Sequence, residues 1–249
     1  MKPSLTSLPN SKTPVLTLVP KLSNFRLFRS FSTMENERLK KYYTHQQFKA
    51  GEALFREGEP LKDVFCILKG MVKFCKKTLN GKNIAFSLFG EGDIFELMTT
   101  DGDEIHLFSA FAATETSAFK IQPGDFREYF MSHPTFANRI LYQKIRSLKG
   151  FYFSRLVSTE SVETRMAYFL LDLAHHPGMA RFEGKKLVFD VPLTRRDIAE
   201  ITNTSVETSI RVVRKWSKKR LVTVSKRRLV IQDLQAFRKI IAGLPLLPD

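Results

Sequence analysis

Hydrophobic positions change their period along the chain. Between about residues 47 and 122 they fall in short runs rich in branched and aromatic side chains, punctuated by Gly51, Gly58, Gly70, Gly81, Gly90 and Gly92. "DVFCILKGMVKFCKKTLNGKNIAFSLFGEGDIF" reads as strand, tight turn, strand, a loop at Asn80-Gly81, strand, turn and strand. Strands at that spacing predict a β-sandwich or barrel-like domain. From "PGDFREYF" onward the period becomes helical. In "PTFANRILYQKIRSLKGFYFSRLV" the residues Leu141, Ile145, Leu148 and Tyr152 stand at steps of four, three and four, the a and d positions of a heptad. Lys144, Arg146 and Lys149 flank that seam, an arrangement that suits pairing with a second copy. A further helix is predicted in "STESVETRMAYFLLDLAHHPG", capped by Ser161 and stopped at Pro177-Gly178, followed by a short strand in "KKLVFDVP".

The sharpest pattern is "LTRRDIAEITNTSVETSIRVVRKWSKKRLVTVSKRRLVIQ". Thr194 can cap a short helix whose Ile198 and Ile201 face inward, and Asn203 suits a left-handed residue in the turn that follows. A second helix from Ser205 is expected to bury Val206, Ile210 and Val213 at i, i+4 and i+7. Its other stripe shows Glu207, Arg211, Arg214 or Lys215, and Lys218. Beyond Leu221, "VTVSKRRLVI" predicts a hairpin with Lys226, Arg227 and Arg228 at its tip.

Charge adds a partner to this picture. The net charge is +15, and it is uneven: residues 1–33 carry +5, residues 34–190 only +2, and residues 191–249 carry +8. A basic C-terminal module of that kind is an electrostatic footprint for phosphate. Lysines and arginines along a helix neutralise phosphates without reading sequence. A carboxylate beside them opposes phosphate unless it meets a donor, and in the major groove that donor is the cytosine amino group; an arginine one turn on can bond guanine O6 and N7. On the helix alone, an i, i+4 surface pair of Glu207 and Arg211 accounts for the same two residues.

The segment resembles the winged helix–turn–helix of the cyclic-AMP receptor and fumarate–nitrate regulator family of bacterial transcription factors. "TRRDIAEITNTSVETSIR" follows the pattern T-R-x-(E/D)-I-(A/G)-x-x-x-G-x-(S/T)-x-E-T-x-x-R, with Asn203 in place of the turn glycine. The resemblance extends over about 200 residues and implies an α+β fold. It places a sensor β-roll at 34–132, a dimerisation helix at 133–160 and a winged DNA-binding domain at 161–249; the Ser-, Thr- and Pro-rich, acid-free residues 1–33 ahead of Met34 read as a disordered or mis-called leader. It implies a homodimer on double-stranded DNA, with a recognition helix at about 205–219, half-sites one helical turn apart and RNA polymerase as a partner. By position, Glu207 and Arg211 are the base readers, with Val206 and Ile210 beside them; Val206 replaces an arginine of the cyclic-AMP receptor, which points to a palindromic TGA-type site. Thr194, Arg195, Arg196, Ser205, Thr208 and Lys226 fall on phosphate-contacting or wing positions.

The same resemblance bears on the effector. The family's nucleotide cassette has the form G-E-L-x(8)-R-(S/T)-A, and here "FELMTTDGDEIHLFSA" keeps Glu96 and Leu97 but has Phe95 for the Gly, His106 for the Arg and Leu107 for the Ser/Thr. Neutral imidazole lacks the fixed charge and fork of a guanidinium, so cyclic AMP is not expected. One histidine without an evident partner does not make a haem or metal site, and no cofactor is expected. Cys66 and Cys75 are too few for an iron–sulfur cluster. If their strands form a hairpin around Lys69-Gly70 they are a diagonal pair about 7 Å apart, too far for an easy disulfide. Two cysteines suit a cytoplasmic protein, and no run approaches a transmembrane helix. No nucleophile–base arrangement, phosphate-binding glycine loop or metal cluster points to an enzyme. The competing function is a small-molecule sensor with only non-specific DNA affinity.

Overall fold

Twelve strands and six helices follow in chain order among the described residues of the computed structural model, which are 34, 37, 41–78, 83–95, 105–176, 178–225 and 228–244. Strands β1 (Tyr43–Phe48), β8 (Thr116–Ile121), β3 (Val64–Lys69) and β6 (Ile94–Phe95) form one antiparallel sheet in that order. Strands β2 (Ala53–Phe55), β7 (Ser109–Ala112), β4 (Val72–Lys77) and β5 (Asn83–Phe89) form a second. Phe48, Phe55, Phe65, Ile67, Val72, Phe74, Phe95, Ala110, Ala112 and Ala118 come from both sheets and pack into one cluster, so the two sheets close on each other as a roll.

Why "VFCILK" is an unbroken apolar run is explained by what covers each face of β3. Phe65 and Ile67 point into the roll, while Val64, Cys66 and Leu68 point outward under two helices, α1 (Pro123–Ser132) and α2 (Pro134–Val157). A strand buried on both faces has no reason to alternate. The hairpin expected around Lys69-Gly70 does not form: β3 and β4 lie in different sheets, so the Cys66–Cys75 pairing derived from it falls away. Gly70 has φ of +96°, and a Cβ there would run into the Glu115 carbonyl. That glycine lets the chain cross from one sheet to the other in a tight step. Both cysteines are free and buried.

Pro134 begins the 24-residue α2. Residues 158–161 then lead to α3 (Val162–Ala174), where the Ser161 hydroxyl accepts the Thr164 N–H at 3.2 Å. The remaining elements are β9 (Ala180–Glu183), β10 (Lys186–Phe189), α4 (Arg195–Ile201), α5 (Val206–Lys218), β11 (Val222–Ser225), β12 (Arg228–Ile231) and α6 (Leu234–Arg238). Their four strands pair in the order β11-β12-β10-β9. Trp216 is fully buried and meets Phe237 edge to face at 4.9 Å.

The roll and the C-terminal domain share a core. Met71, in the step between β3 and β4, packs into the cluster of Met166, Leu170, Ile198 and Trp216. Gly90 leaves room for the Met179 methyl, which a Cβ would overlap. Lys73 of β4 donates to Asp197 of α4 at 3.0 Å and to Glu200 at 3.5 Å. His175 and His176 are half-buried at this junction. Arg146 donates to the His175 carbonyl at 3.2 Å, and the His176 ring stands 3.9 Å from Asp93.

Candidate nucleic-acid interface

Each helix of the C-terminal pair carries its own start signal. At α4 the Thr194 hydroxyl accepts the Asp197 N–H at 3.0 Å while the Asp197 carboxylate accepts the Thr194 N–H at 3.2 Å, a complete capping box. The same carboxylate receives Lys73 from the roll, which explains how a buried aspartate is tolerated. Asn203 follows in the left-handed region at φ +49°, as the turn reading requires. At α5 the Ser205 hydroxyl accepts the Thr208 N–H at 3.1 Å. Arg165 of α3 closes the turn from behind, donating to the carbonyls of Thr202 at 3.0 Å and Asn203 at 3.2 Å.

The phase of α5 differs from the expected one. Ser209, Val212, Val213 and Trp216 are its buried stripe, whereas Val206 and Ile210 are only partly covered. Ile210 instead lines an open concavity together with Glu207, Arg211, Arg214, Lys215, Lys218 and Lys219. The outer face of α5 therefore presents one carboxylate near its start, one aliphatic side chain and five cations. Glu207 is held below the usual carboxylate range by its own backbone N–H and then by the Ser205 hydroxyl, so it is ionised at neutral pH. Thr194, Arg196 and Ser205 are exposed; Arg195 and Thr208 are half-buried, and burial lowers the pKa of Arg195. Lys226 lies outside the described residues, between β11 and β12, whose pairing of Ser225 with Arg228 builds the expected wing.

One arrangement at α5 had no local sequence signal. Glu163, in the first turn of α3, accepts Lys215 Nζ at 2.5 Å and Trp216 Nε1–H at 2.9 Å. Burial alone would raise its pKa; the bonds from Lys215 and Trp216 outweigh that and lower it.

Within the roll, Phe95 is buried among Phe55, Phe65, Phe74 and Phe89, with ring centroids 5.1–6.3 Å away. His106 is buried too, stacked on Phe55 at 3.7 Å and 10°. Burial chiefly lowers its pKa, which keeps the ring neutral at pH 7. Phe95 and His106 thus meet through Phe55. Leu107 does not join them: it is 63% exposed, with its carbonyl accepting Lys76 Nζ at 2.8 Å. Glu96 and Leu97 lie outside the described residues. Among the described residues no group of three His, Cys, Asp or Glu could hold a metal ion, and no helix is long and apolar enough to cross a membrane.

The seam of α2 is open in the single chain. Leu141, Ile145, Leu148 and Tyr152 are all exposed, flanked by exposed Tyr142, Phe151 and Leu156. Lys144 and Arg146 turn away toward the rest of their own chain: Lys144 donates to the Ile94 carbonyl at 2.7 Å, and Arg146 to the junction described above.

Two family models match the chain, the cyclic nucleotide-binding domain over residues 45–133 and the Crp-like helix-turn-helix domain over residues 164–240. Electron transport regulator A of Shewanella oneidensis is 29% identical over 188 residues, 74% of this chain and 72% of that protein. The Global nitrogen regulator of Synechococcus elongatus is 23% identical over 189 residues, 75% of this chain and 84% of that protein. The structure of FixK2 from Bradyrhizobium japonicum shares the fold with a TM-score of 0.70 at 20% identity, covering 82% of this chain and 99% of that one.

Proposed function

The chain belongs to the Crp/Fnr family of transcription regulators, and we propose that it acts as a homodimer reading a palindromic TGA-type site without cyclic AMP. The observation that carries this reading is the outer face of α5, where ionised Glu207 stands beside Arg211 at the head of a basic row. A carboxylate there lowers affinity for phosphate everywhere and raises it only where a cytosine amino group is presented. Arg211 supplies the guanine contact, and the partly covered Val206 and Ile210 are available to thymine methyl groups. Thr194, Arg195, Arg196, Ser205 and Thr208 then engage phosphate around the start of both helices, with Lys226 doing so from the wing.

The open apolar stripe of α2 supports pairing of two chains through Leu141, Ile145, Leu148 and Tyr152. Two recognition helices presented by one dimer suit half-sites one helical turn apart. Phe95 and His106 support the absence of a cyclic-AMP response. Phe95, at the first cassette position, is packed among aromatic rings, and the position of the phosphate-binding arginine holds a neutral, stacked imidazole. Membership of the family supports contact with RNA polymerase and a cytoplasmic location, and this reading needs no resident cofactor.

Fluorescence anisotropy on an inverted TGA-type repeat and on scrambled DNA, near 0.15 M salt, tests the reading. A preference of ~10³ or more without nucleotide is expected. Glu207→Ala should narrow that preference, while Arg195→Ala should weaken both complexes alike. Equal losses on both DNAs for both variants would favour a sensor with only non-specific affinity. A preference arising only with cyclic AMP would overturn the assignment of Phe95 and His106.

A further inference from the structure

Of the cations on the outer face of α5, Lys215 is already paired. Its ammonium lies 2.5 Å from Glu163, whereas among the described residues no carboxylate pairs with Arg211, Arg214 or Lys218. The geometry of the partner is unusual for a surface ion pair. The other carboxylate oxygen of Glu163 accepts the indole N–H of Trp216 at 2.9 Å, and Trp216 is fully buried against Phe237. Most exposed pairs lose their attraction to side-chain entropy, but here one end is fixed by a core residue. Glu163 also sits in the first turn of α3, where a negative charge is favoured by the helix dipole. The carboxylate is therefore held in place, and Lys215 is the mobile partner that comes to it.

We propose that Glu163 stands in for a DNA phosphate at Lys215 and so holds down the sequence-independent affinity of the recognition helix. The proposal rests on the reading of α5 as the DNA-facing helix. Non-specific binding is driven by the counterions released when cations neutralise phosphates, with log K falling by about 0.9 per log unit of salt for each phosphate contact. A lysine neutralised from within the protein adds nothing to that count. The base contacts of Glu207 and Arg211 do not depend on that count, so the affinity given up at Lys215 is the sequence-independent part.

The test is anisotropy of the full chain on a scrambled duplex between 0.05 and 0.2 M salt. Glu163→Gln keeps an acceptor for Trp216 and removes the charge that holds Lys215. It should raise non-specific affinity and steepen the salt slope by about 0.9 per bound subunit, so that its advantage shrinks ~3.5-fold per subunit across that range. Lys215→Gln alone should leave the wild-type slope unchanged, and in the Glu163→Gln background it should return the slope to the wild-type value. Loss of packing moves the melting temperature of each variant but cannot steepen a salt slope. An unchanged slope in Glu163→Gln, or a slope flattened by ~0.9 in Lys215→Gln alone, overturns the proposal. Arg214→Gln separates the two levels of the argument. It should flatten the slope by ~0.9 if α5 faces DNA; no change there refutes the reading of α5 and takes the proposal with it, whereas a normal Arg214 response with an inert Glu163 refutes the role of Glu163 alone.

Discussion

Leu148→Asp is the sharpest perturbation of the proposed dimer. The four seam residues of α2 are 46–60% exposed in the single chain, while Phe136 and Ile140, on the side facing the roll, are 2% exposed. Fully burying a Leu, Ile or aromatic side chain contributes ~1.5–3 kcal/mol, so the half still exposed is worth ~1 kcal/mol per residue. Four residues on each of two chains supply ~8 kcal/mol, and the flanking Phe151 and Leu156 raise that to ~12 kcal/mol. Association costs roughly 4–15 kcal/mol in lost freedom, so the dimer is expected to depend on nearly every residue of the stripe. Leu148→Ala then removes ~2 kcal/mol per dimer, a ~30-fold rise in the dissociation constant. Leu148→Asp adds two unpaired carboxylates in an apolar seam and should leave a folded monomer at micromolar concentration. Sedimentation equilibrium reads the dissociation constant, and circular dichroism checks the fold. Binding to the inverted repeat should fall toward that of a single half-site. A Leu148→Asp variant that dimerises as well as the wild type would refute the α2 interface.

The junction and the thiols give three further expectations. Gly90→Leu forces a side chain into the place of the Met179 methyl and should destabilise the chain by roughly 1–3 kcal/mol in a urea titration, with Met179→Ala restoring part of the loss. His176 has its pKa raised above the ordinary 6.5: burial acts to lower it, but Asp93 and Asp172 outweigh burial and the opposing Arg146. A raised pKa means a contribution fully present below pH 6.5 and lost as the pH rises through the folded-state value. The melting-temperature difference between the wild type and His176→Gln should therefore narrow from pH 6 to pH 9; a constant difference would refute the ion pair. Burial pushes the Cys75 thiol up to about 11 and the Cys66 thiol higher still, so neither should react with iodoacetamide in the folded protein at pH 8. Rapid labelling before unfolding would show that the strands open.

The helix–turn–helix was legible because its signals are short-range. Thr194 and Asp197, or Ser205 and Thr208, act across three residues, and Asn203 marks its own backbone conformation. The phase of α5 was less legible because the helix carries two overlapping apolar stripes, Val206-Ile210-Val213 and Val212-Val213-Trp216. The indole has the largest area to bury and is also tied to Glu163, so its stripe turned inward and Ile210 turned out. At Lys69-Gly70 the local signal for a turn was correct, but a turn does not say whether the next strand stays in the sheet. That was decided by the opposite faces of β3, which pack on the roll interior and on α1 and α2.

What could not be read from local pattern is the contact between the two halves of the molecule. Lys73 and Asp197 lie 124 residues apart, and each alone reads as a solvated charge. Only in the fold does Lys73 neutralise the carboxylate that caps α4, which couples the roll to the helix start carrying Thr194 and Arg195. The same logic holds at Glu163, 52 residues from Lys215. In both cases a charge on one element is paired with a charge on the helix–turn–helix. The motif of α4 and α5 thus names the candidate DNA-contacting residues, while in the proposal above the count of cations that α5 offers depends on a carboxylate from α3, which that motif does not contain.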